Sequence, residues 1–423
     1  MSAPLTRAQA YRIFLLLNAT RWFPVGFVVG IFILIQTGRG LSIAQAMTAA
    51  AVSGYVCFAL ELPTSGFADA FGRRAVYLAA ALVNVVAGFA YLFAQNFWQF
   101  ALAAALMGTF RALDSGPLEA WFVDTVHEES PGADVDQELS RAGTVLGVSM
   151  AIGALLSGLL IWWHPVTAYA AIDLAVAVFA VLNVVHLVAT AVLMRETPRH
   201  VGDAERSRRV RASIAEAPKV IGSGLRMLAT NRVLLGLILA EIAWSTGMVA
   251  FEALLPLRLE EMTGSAQTAG ALMGPVAAVG WGIFALGTWI AGKASKRWGV
   301  ARAAMLGRAL NAIGVLLMAA ALTPVGLIAA YLFTYTWHGV NGPPHSALLH
   351  REAEARNRST VLSINSMFAF LAFGIAGPLA GLLSDSASIR TAMLVVGLVS
   401  LLGVAAYLPA RRAEALRPAS DDG

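Results

Sequence analysis

The sequence predicts an all-α integral membrane protein, with twelve transmembrane helices in two pseudo-symmetric six-helix bundles. Three observations carry that expectation: long apolar segments, a one-sided placement of basic residues, and a faint internal repeat. Of 423 residues, 58% are hydrophobic and 13% charged, against about 25% charged in an ordinary soluble domain. Mean hydropathy is +0.69. A soluble core cannot absorb that much apolar surface, whereas a bilayer can.

In chain order the apolar runs are 11–36, 43–70, 74–95, 97–126, 138–163, 165–193, 232–258, 269–295, 300–321, 326–350, 359–384 and 389–409. Each reaches the ~20 residues that a hydrocarbon core demands. Several run longer, which predicts tilt or extension past the lipid. Gly and Pro recur inside them, as membrane helices tolerate. The first run is expected to be a retained spanning helix, because Asn18 and Arg21 interrupt it and no small-residue cleavage site follows closely. Cys57, the single cysteine, lies inside an apolar run, so no disulfide forms within the chain and no metal-ligand spacing exists.

The formal charge is +5 and the pI about 9.6. A basic chain can signal nucleic-acid binding, but here the charge sits in short segments between apolar runs, so no nucleic-acid partner is expected. With the N-terminus inside the cell, 25 of the 30 Lys and Arg fall in or beside cytoplasmic segments; Arg39, Arg258 and Arg390 fall outside, and Arg21 and Arg111 lie within helices. That bias predicts both termini on the cytoplasmic side and supports an even number of crossings. Only Lys219, Lys293 and Lys296 are lysine. With abundant alanine, this points to a GC-rich bacterial genome and hence a bacterial inner membrane.

The longest hydrophilic stretch, 194–231, divides the chain into a bundle at 1–193 and a bundle at 232–423. It reads as a cytoplasmic linker, partly an amphipathic helix on the anionic inner surface. The halves echo one another. Thr37–Gly38 recurs as Thr263–Gly264 and Gly116–Pro117 as Gly342–Pro343, both 226 residues on; the Ser65-to-Gly72 spacing recurs as Gly292-to-Gly299, offset 227. Internal repetition of this kind marks secondary transporters.

The stretch ELPTSGFADAFGRR, Glu61 to Arg74, lies between helices two and three. Twelve helices, inward termini, a long central loop and this motif together resemble the major facilitator superfamily. Its signature there reads G-x-L-A-D-R-x-G-R-R. Asp69, Gly72, Arg73 and Arg74 match, Ser65 replaces the first glycine, and Ala70 replaces the first basic residue. Gly292 to Gly299 is similar to a degenerate second copy, with Lys296 where Asp69 would stand. The resemblance implies a cytoplasmic gate. Small Ser65 and Gly66 let a neighbouring helix approach. The resemblance implies that Asp69 faces the positive N-terminus of helix eleven near Ser359. Arg73 and Arg74 pair with an acid at the foot of helix four, for which Asp124 has the right depth, and Glu61 stands close enough to join.

Charges inside a bilayer are expensive, so each needs a reason. Helix four carries Arg111, Asp114 and Glu119, with Arg111 and Asp114 on one face. Pro117 removes a backbone hydrogen bond in mid-helix and permits a kink. On helix one, Arg21 lies at a depth within about 3 Å of Glu119 at a 1.5 Å rise per residue, so an Arg21–Glu119 or Arg21–Asp114 pair is expected. Glu241 on helix seven lies at similar depth, with Trp244 on its face. Asp173 and Glu252 are nearer the outer surface and read as solvated or rim residues. Helix ten brings Trp337, His338, Asn341 and His345. The resemblance implies that helices one, four, seven and ten line a central cavity, with Asn18, Arg21, Trp244, Trp337, His338, Asn341 and His345 as its walls. It also implies a proton-coupling role for Arg111, alongside Asp114, Glu119 and Glu241. A carboxyl moved between a low-dielectric site and an arginine's neighbourhood loads and releases a proton.

Helix eleven carries GIAGPLAG, Gly374 to Gly381, and helix five carries GALLSG, Gly153 to Gly158, both suited to close helix packing. The glycine-proline signature often found on helix five of family drug exporters is absent from the latter. Trp98, Trp162, Trp163 and Tyr331 read as outer interface anchors. No G-x-x-x-x-G-K-S/T loop, zinc or haem spacing or nucleophile elbow is present, so neither cofactor nor enzymatic activity is expected. The expectation is a monomeric, proton-driven exporter of small lipophilic or amphipathic compounds. Its alternatives are a symporter or facilitator importing a polar metabolite, and an enzyme or receptor built on the same frame.

Overall fold

The computed structural model describes residues 5–64, 67–196, 203–354 and 357–416. Among them every regular element is helical. In chain order, with a short helical turn Phe67–Phe71 between the second and third, these are α1 (Arg7–Val28, continued by Phe32–Gly38), α2 (Ile43–Thr64), α3 (Arg73–Phe93), α4 (Phe97–Asp114, continued by Pro117–Glu129), α5 (Asp136–Trp163) and α6 (Ala171–Leu193). After the linker helix Asp203–Thr230 come α7 (Arg232–Val249, a π-helical turn Ala250–Leu254, then Leu255–Thr263), α8 (Ala266–Trp298), α9 (Val300–Ala320), α10 (Pro324–Glu352), α11 (Arg358–Ser386) and α12 (Ile389–Leu402, running on to Leu408–Ala415).

The helices start where polar side chains can cap them. Thr6 and Gln9 form a reciprocal capping box on α1, and Asn96, Asn231, Ser265, Thr323 and Ser388 accept backbone N–H groups at the starts of α4, α7, α8, α10 and α12. Among the described residues ten helices are long and apolar enough to cross a membrane. The other two of the twelve are α4, interrupted midway, and α10, whose middle carries Trp337, His338, Asn341 and His345. Leu, Val and Trp side chains such as Leu102, Trp98, Trp162, Val192 and Leu379 are exposed along the helices, as a lipid-facing surface requires.

The chain forms two compact units. One comprises Met1–Leu41, Val52–Ala217 and Gly270–Ala278; the other comprises Ser42–Ala51, Pro218–Ala269 and Val279–Gly423. Within the first, α1 packs on α5 and α6, and α3 packs on α4 and α6. Within the second, α7 packs on α11 and α12, and α9 packs on α10 and α12. Adding six to each helix number of the first set gives the second, so the weak sequence repeat reflects a repeated packing scheme. Small residues let the helices meet: a Cβ on Gly153 would stand 2.3 Å from the Phe23 carbonyl of α1, and one on Gly381 would stand 2.7 Å from Ala44.

A matching device closes the basic end of each unit. Gly72 takes φ 94° and Gly299 φ 87°, a left-handed turn suited to glycine, just before α3 and α9. Glu196, beyond α6, accepts from the backbone N–H groups of Arg73 and Arg74 at 3.0 and 2.8 Å. Glu414, at the end of α12, accepts from those of Val300 and Ala301 at 3.0 Å each. Each carboxylate thereby satisfies orphan donors at a helix N-terminus and complements its dipole.

Candidate functional site

Each unit holds a buried arginine–carboxylate centre. In the first, α1 supplies Arg21, whose guanidinium meets Asp114 of α4 at 3.0 Å through both Nε and Nη2. The Arg21 side chain is 6% exposed and that of Asp114 17%. Phe110 and Trp22 lie 4.2 and 4.6 Å from the guanidinium carbon, so aromatic faces sheath the cation. The pairing expected from helix depth is therefore made with Asp114. Glu119 is exposed instead, in the first turn of the second half of α4. There its charge sits favourably near the helix N-terminus.

Asp114 also ends a helix. Beyond it, Ser115 is extended and Gly116 takes φ 93°, so Pro117 begins a fresh helix at its N1 position. The expected kink is a full break. Proline disfavours helical backbone in the preceding residue, and glycine there can adopt the left-handed alternative. Asp114 thus sits at a backbone discontinuity. Arg111, one turn earlier, is exposed and lies within electrostatic reach of Glu61 on α2.

In the second unit, Glu241 of α7 pairs with Arg308 of α9 at 2.5 Å, and His345 Nε2 of α10 stands 3.4 Å away. The Tyr407 hydroxyl lies 3.2 Å from Arg308 Nε and 2.7 Å from His345 Nδ1, while Asn365 Oδ1 of α11 lies 3.0 Å from His345 Nε2. Five side chains from five helices share one network. Trp244 caps it, its ring 4.3 Å from the Arg308 guanidinium carbon, and stacks on His338 at 5.2 Å.

At the basic end of the first unit, Arg73 Nε meets Asp124 at 3.5 Å. Arg74 does not turn to Asp124; its guanidinium donates to the carbonyls of Met194 and Ala191 at the end of α6. Ser65 and Gly66 lie outside the described residues, as do the side chains of Asp69 and Ser359.

With this arrangement in hand, the chain can be set against known proteins. Residues 14–299 and 278–423 match the sequence pattern of the Major Facilitator Superfamily. The chain belongs to the Major Facilitator Superfamily. It is therefore a multi-pass membrane protein of a transporter family. No curated protein matches it in sequence. Among solved structures, that of the nucleoside transporter NupG is similar with a TM-score of 0.71 at 12% identity, over 97% of this chain and 100% of that one. A structure of proton dependent oligopeptide transporters is similar with a TM-score of 0.70 at 14% identity, over 96% and 100%. A POT family transporter in complex with a thioalcohol conjugated peptide gives 0.71 at 14%, over 95% and 96%. At such identities the likeness establishes the fold.

Several residues of this superfamily member stand elsewhere than the sequence suggests. Arg308, counted with the positive charge at the foot of its helix, is buried eight residues beyond Val300, where α9 begins, and neutralises Glu241. Only its interruption of an otherwise apolar run could have flagged it. His345, expected as a cavity wall, is buried inside the network of the second unit. Asn341 is buried against α9, its amide oxygen 2.9 Å from where a Cβ on Gly307 would be. Asn18 spends its amide on the Phe14 carbonyl of its own helix at 2.9 Å. Trp337 is half-buried beside Phe333. Tyr331, expected at the lipid interface, is buried among aromatic rings. Asp173, expected as a solvated or rim residue, is ion-paired with Arg39 at 2.9 Å. Glu252, expected likewise, lies in the π-helical turn of α7 and accepts from the Tyr335 hydroxyl at 3.2 Å.

Proposed function

We propose that this protein is a proton-coupled secondary transporter of the bacterial inner membrane, both termini cytoplasmic, that exports small lipophilic or amphipathic compounds by alternating access. The observation that carries the reading is the Arg21–Asp114 pair at the break in α4. Asp114 is the proton carrier. Its carboxylate is paired with Arg21 in this state, and the exchange of that partner is the proposed coupling step. A broken helix lets the segment bearing Asp114 shift against the segment bearing Glu119 without unfolding either. Arg111 and Glu119 are secondary candidates, and Glu241, held in the network of the second unit, ranks below them. Arg73 with Asp124, together with Glu61 and Asp69, forms the cytoplasmic gate.

Transport into everted vesicles tests the reading. Adding substrate to vesicles holding a preformed proton gradient is expected to collapse it, and Asp114→Asn is expected to abolish the collapse. If Asp114→Asn and Glu119→Gln both leave pH-dependent transport intact, the coupling assignment is wrong. A second reading, import of a polar metabolite with protons, draws on the fold shared with proton dependent oligopeptide transporters. Accumulation driven by an inward proton gradient in right-side-out vesicles would select it.

A further inference from the structure

The second unit contains a carboxylate that the coupling scheme does not use. At Ala250–Leu254 the helix α7 widens into a π-helical turn, an irregularity that recurs at functional sites. Glu252 sits in that turn. Its neighbour is the Tyr335 hydroxyl at 3.2 Å, and no basic side chain among the described residues pairs with it. Arg308, the buried arginine of the unit's network, is already neutralised by Glu241, and Arg258 of the same helix pairs with Glu261. An ionised carboxylate at such a position is costly unless a cation or a proton joins it.

The surroundings favour one kind of occupant. Tyr335 is ringed by Tyr331 at 4.9 Å between centroids, Phe251 at 6.0 Å, Phe284 at 6.2 Å and Trp281 at 6.4 Å. His338 lies 5.2 Å from both Tyr335 and Phe284. The rings come from α7, α8 and α10 of the same unit. Tyr331 and Tyr335 are buried, while Glu252, Trp281, Phe284 and His338 are partly exposed, so the carboxylate bonded to the Tyr335 hydroxyl stands at an accessible edge of the aromatic cluster. Ring faces carry negative potential and attract organic cations, the arrangement used to hold quaternary ammonium groups. They also supply apolar area for a bulky body. A proton alone would need the carboxyl but not the rings.

We propose that Glu252 and this aromatic cluster form the recognition site for a monovalent organic cation, an amine or quaternary onium bearing apolar or aromatic substituents. The inference rests on the export reading above and names its substrate class. The onium centre sits against the Glu252 carboxylate with the ring faces around its substituents. Tyr335 holds the carboxylate in place through its hydroxyl.

Binding of radiolabelled tetraphenylphosphonium to the purified full-length protein in lipid nanodiscs, with neutral triphenylphosphine oxide as the control probe, tests the site without requiring transport. The wild type is expected to bind the cation, and Glu252→Gln is expected to weaken binding at least about tenfold while leaving the neutral probe within about twofold. Glu252→Asp, which keeps the charge, is expected to retain most of the affinity and shows that the site tolerates substitution. Trp281→Ala is expected to weaken both probes. Equal tetraphenylphosphonium affinity in wild type and Glu252→Gln overturns the proposal. So does a wild type that binds the neutral probe but not the cation. A Glu252→Gln protein that binds normally yet shifts the pH dependence of transport makes Glu252 a proton carrier, and the proposal falls. Failure of the coupling reading registers separately: Asp114→Asn would leave transport coupled while cation binding still depends on Glu252.

Discussion

The two buried centres use the same chemistry for different ends. Arg21 and Asp114 are bound to each other in the first unit, with aromatic rings around the arginine and a helix break beside the aspartate. Arg308 and Glu241 in the second are enclosed by His345, Tyr407 and Asn365, with the arginine side chain 4% and the glutamate side chain 9% exposed. A charge with many partners on five helices is fixed, because moving it would orphan each partner in turn. A charge with one partner beside a discontinuity can exchange it. The difference marks the first centre as a candidate switch and the second as a brace.

The largest effect should come from breaking the brace. Arg308→Ala leaves Glu241 buried without its arginine, with the His345 imidazole 3.4 Å away, so it should cost about 3–5 kcal/mol and be read as lost expression or a collapsed melting transition in detergent. Replacing both partners together, Arg308→Met with Glu241→Gln, should recover much of that loss, since neutral groups of similar volume need no counter-ion. If the single and double variants are equally damaged, the brace interpretation fails.

Asp114→Asn is the contrasting variant. It should lower the melting temperature by less than Arg308→Ala does, because the replacing amide oxygen can still accept from Arg21 and the guanidinium keeps its aromatic contacts, yet abolish proton-coupled transport. A melting loss as large as that of Arg308→Ala would place both centres in the same structural class.

A smaller effect separates the paired dipeptides. Gly116 has φ 93° and Gly342 lies inside a continuous helix. Gly116→Ala should therefore cost about 1–2 kcal/mol, as a left-handed non-glycine residue does, while Gly342→Ala should be neutral or stabilise by about 0.5–1 kcal/mol. Thermal melting of the two variants side by side checks the sign. Smallest and most alike should be Glu196→Ala and Glu414→Ala. Each removes the side-chain acceptor at a helix start and should cost about 0.5–2 kcal/mol; unequal losses would show that the repeat is not equivalent at the basic end.

Much of the fold was legible because it depends on what lipid permits. Apolar runs of spanning length, small residues at helix contacts such as Gly153 and Gly381, and Ser, Thr or Asn at helix starts are local signals. The Arg21–Asp114 pair was legible as one of two options, since depth along a helix follows from residue count. Rotation about the helix axis was harder to read. Asn341 and His345 share α10 with His338, yet the first two pack into the unit and the third reaches the aromatic cluster. Arg308 was missed because a basic residue near the foot of a helix looks the same in sequence whether it meets water or a buried glutamate.

Gly116–Pro117 and Gly342–Pro343 show where the sequence stops being decisive. The dipeptide alone permits either a break or a continuous helix. In α10, Gly339 presses against the Phe284 carbonyl of α8, where a Cβ would stand only 2.1 Å away, three residues before the dipeptide. In α4 the comparable close contact, Gly108 against the Ser53 carbonyl, is eight residues away. The helix with the backbone clamp three residues from the dipeptide stays whole, and the one whose glycine clamp is farther away opens. The sequence by itself determined the membrane class, the helix positions and the repeat, because these follow from transfer of single segments into lipid. Which buried charges became a pair or a network, and which proline broke its helix, was decided only in the tertiary structure, because those outcomes depend on which neighbour occupies the space beside each residue.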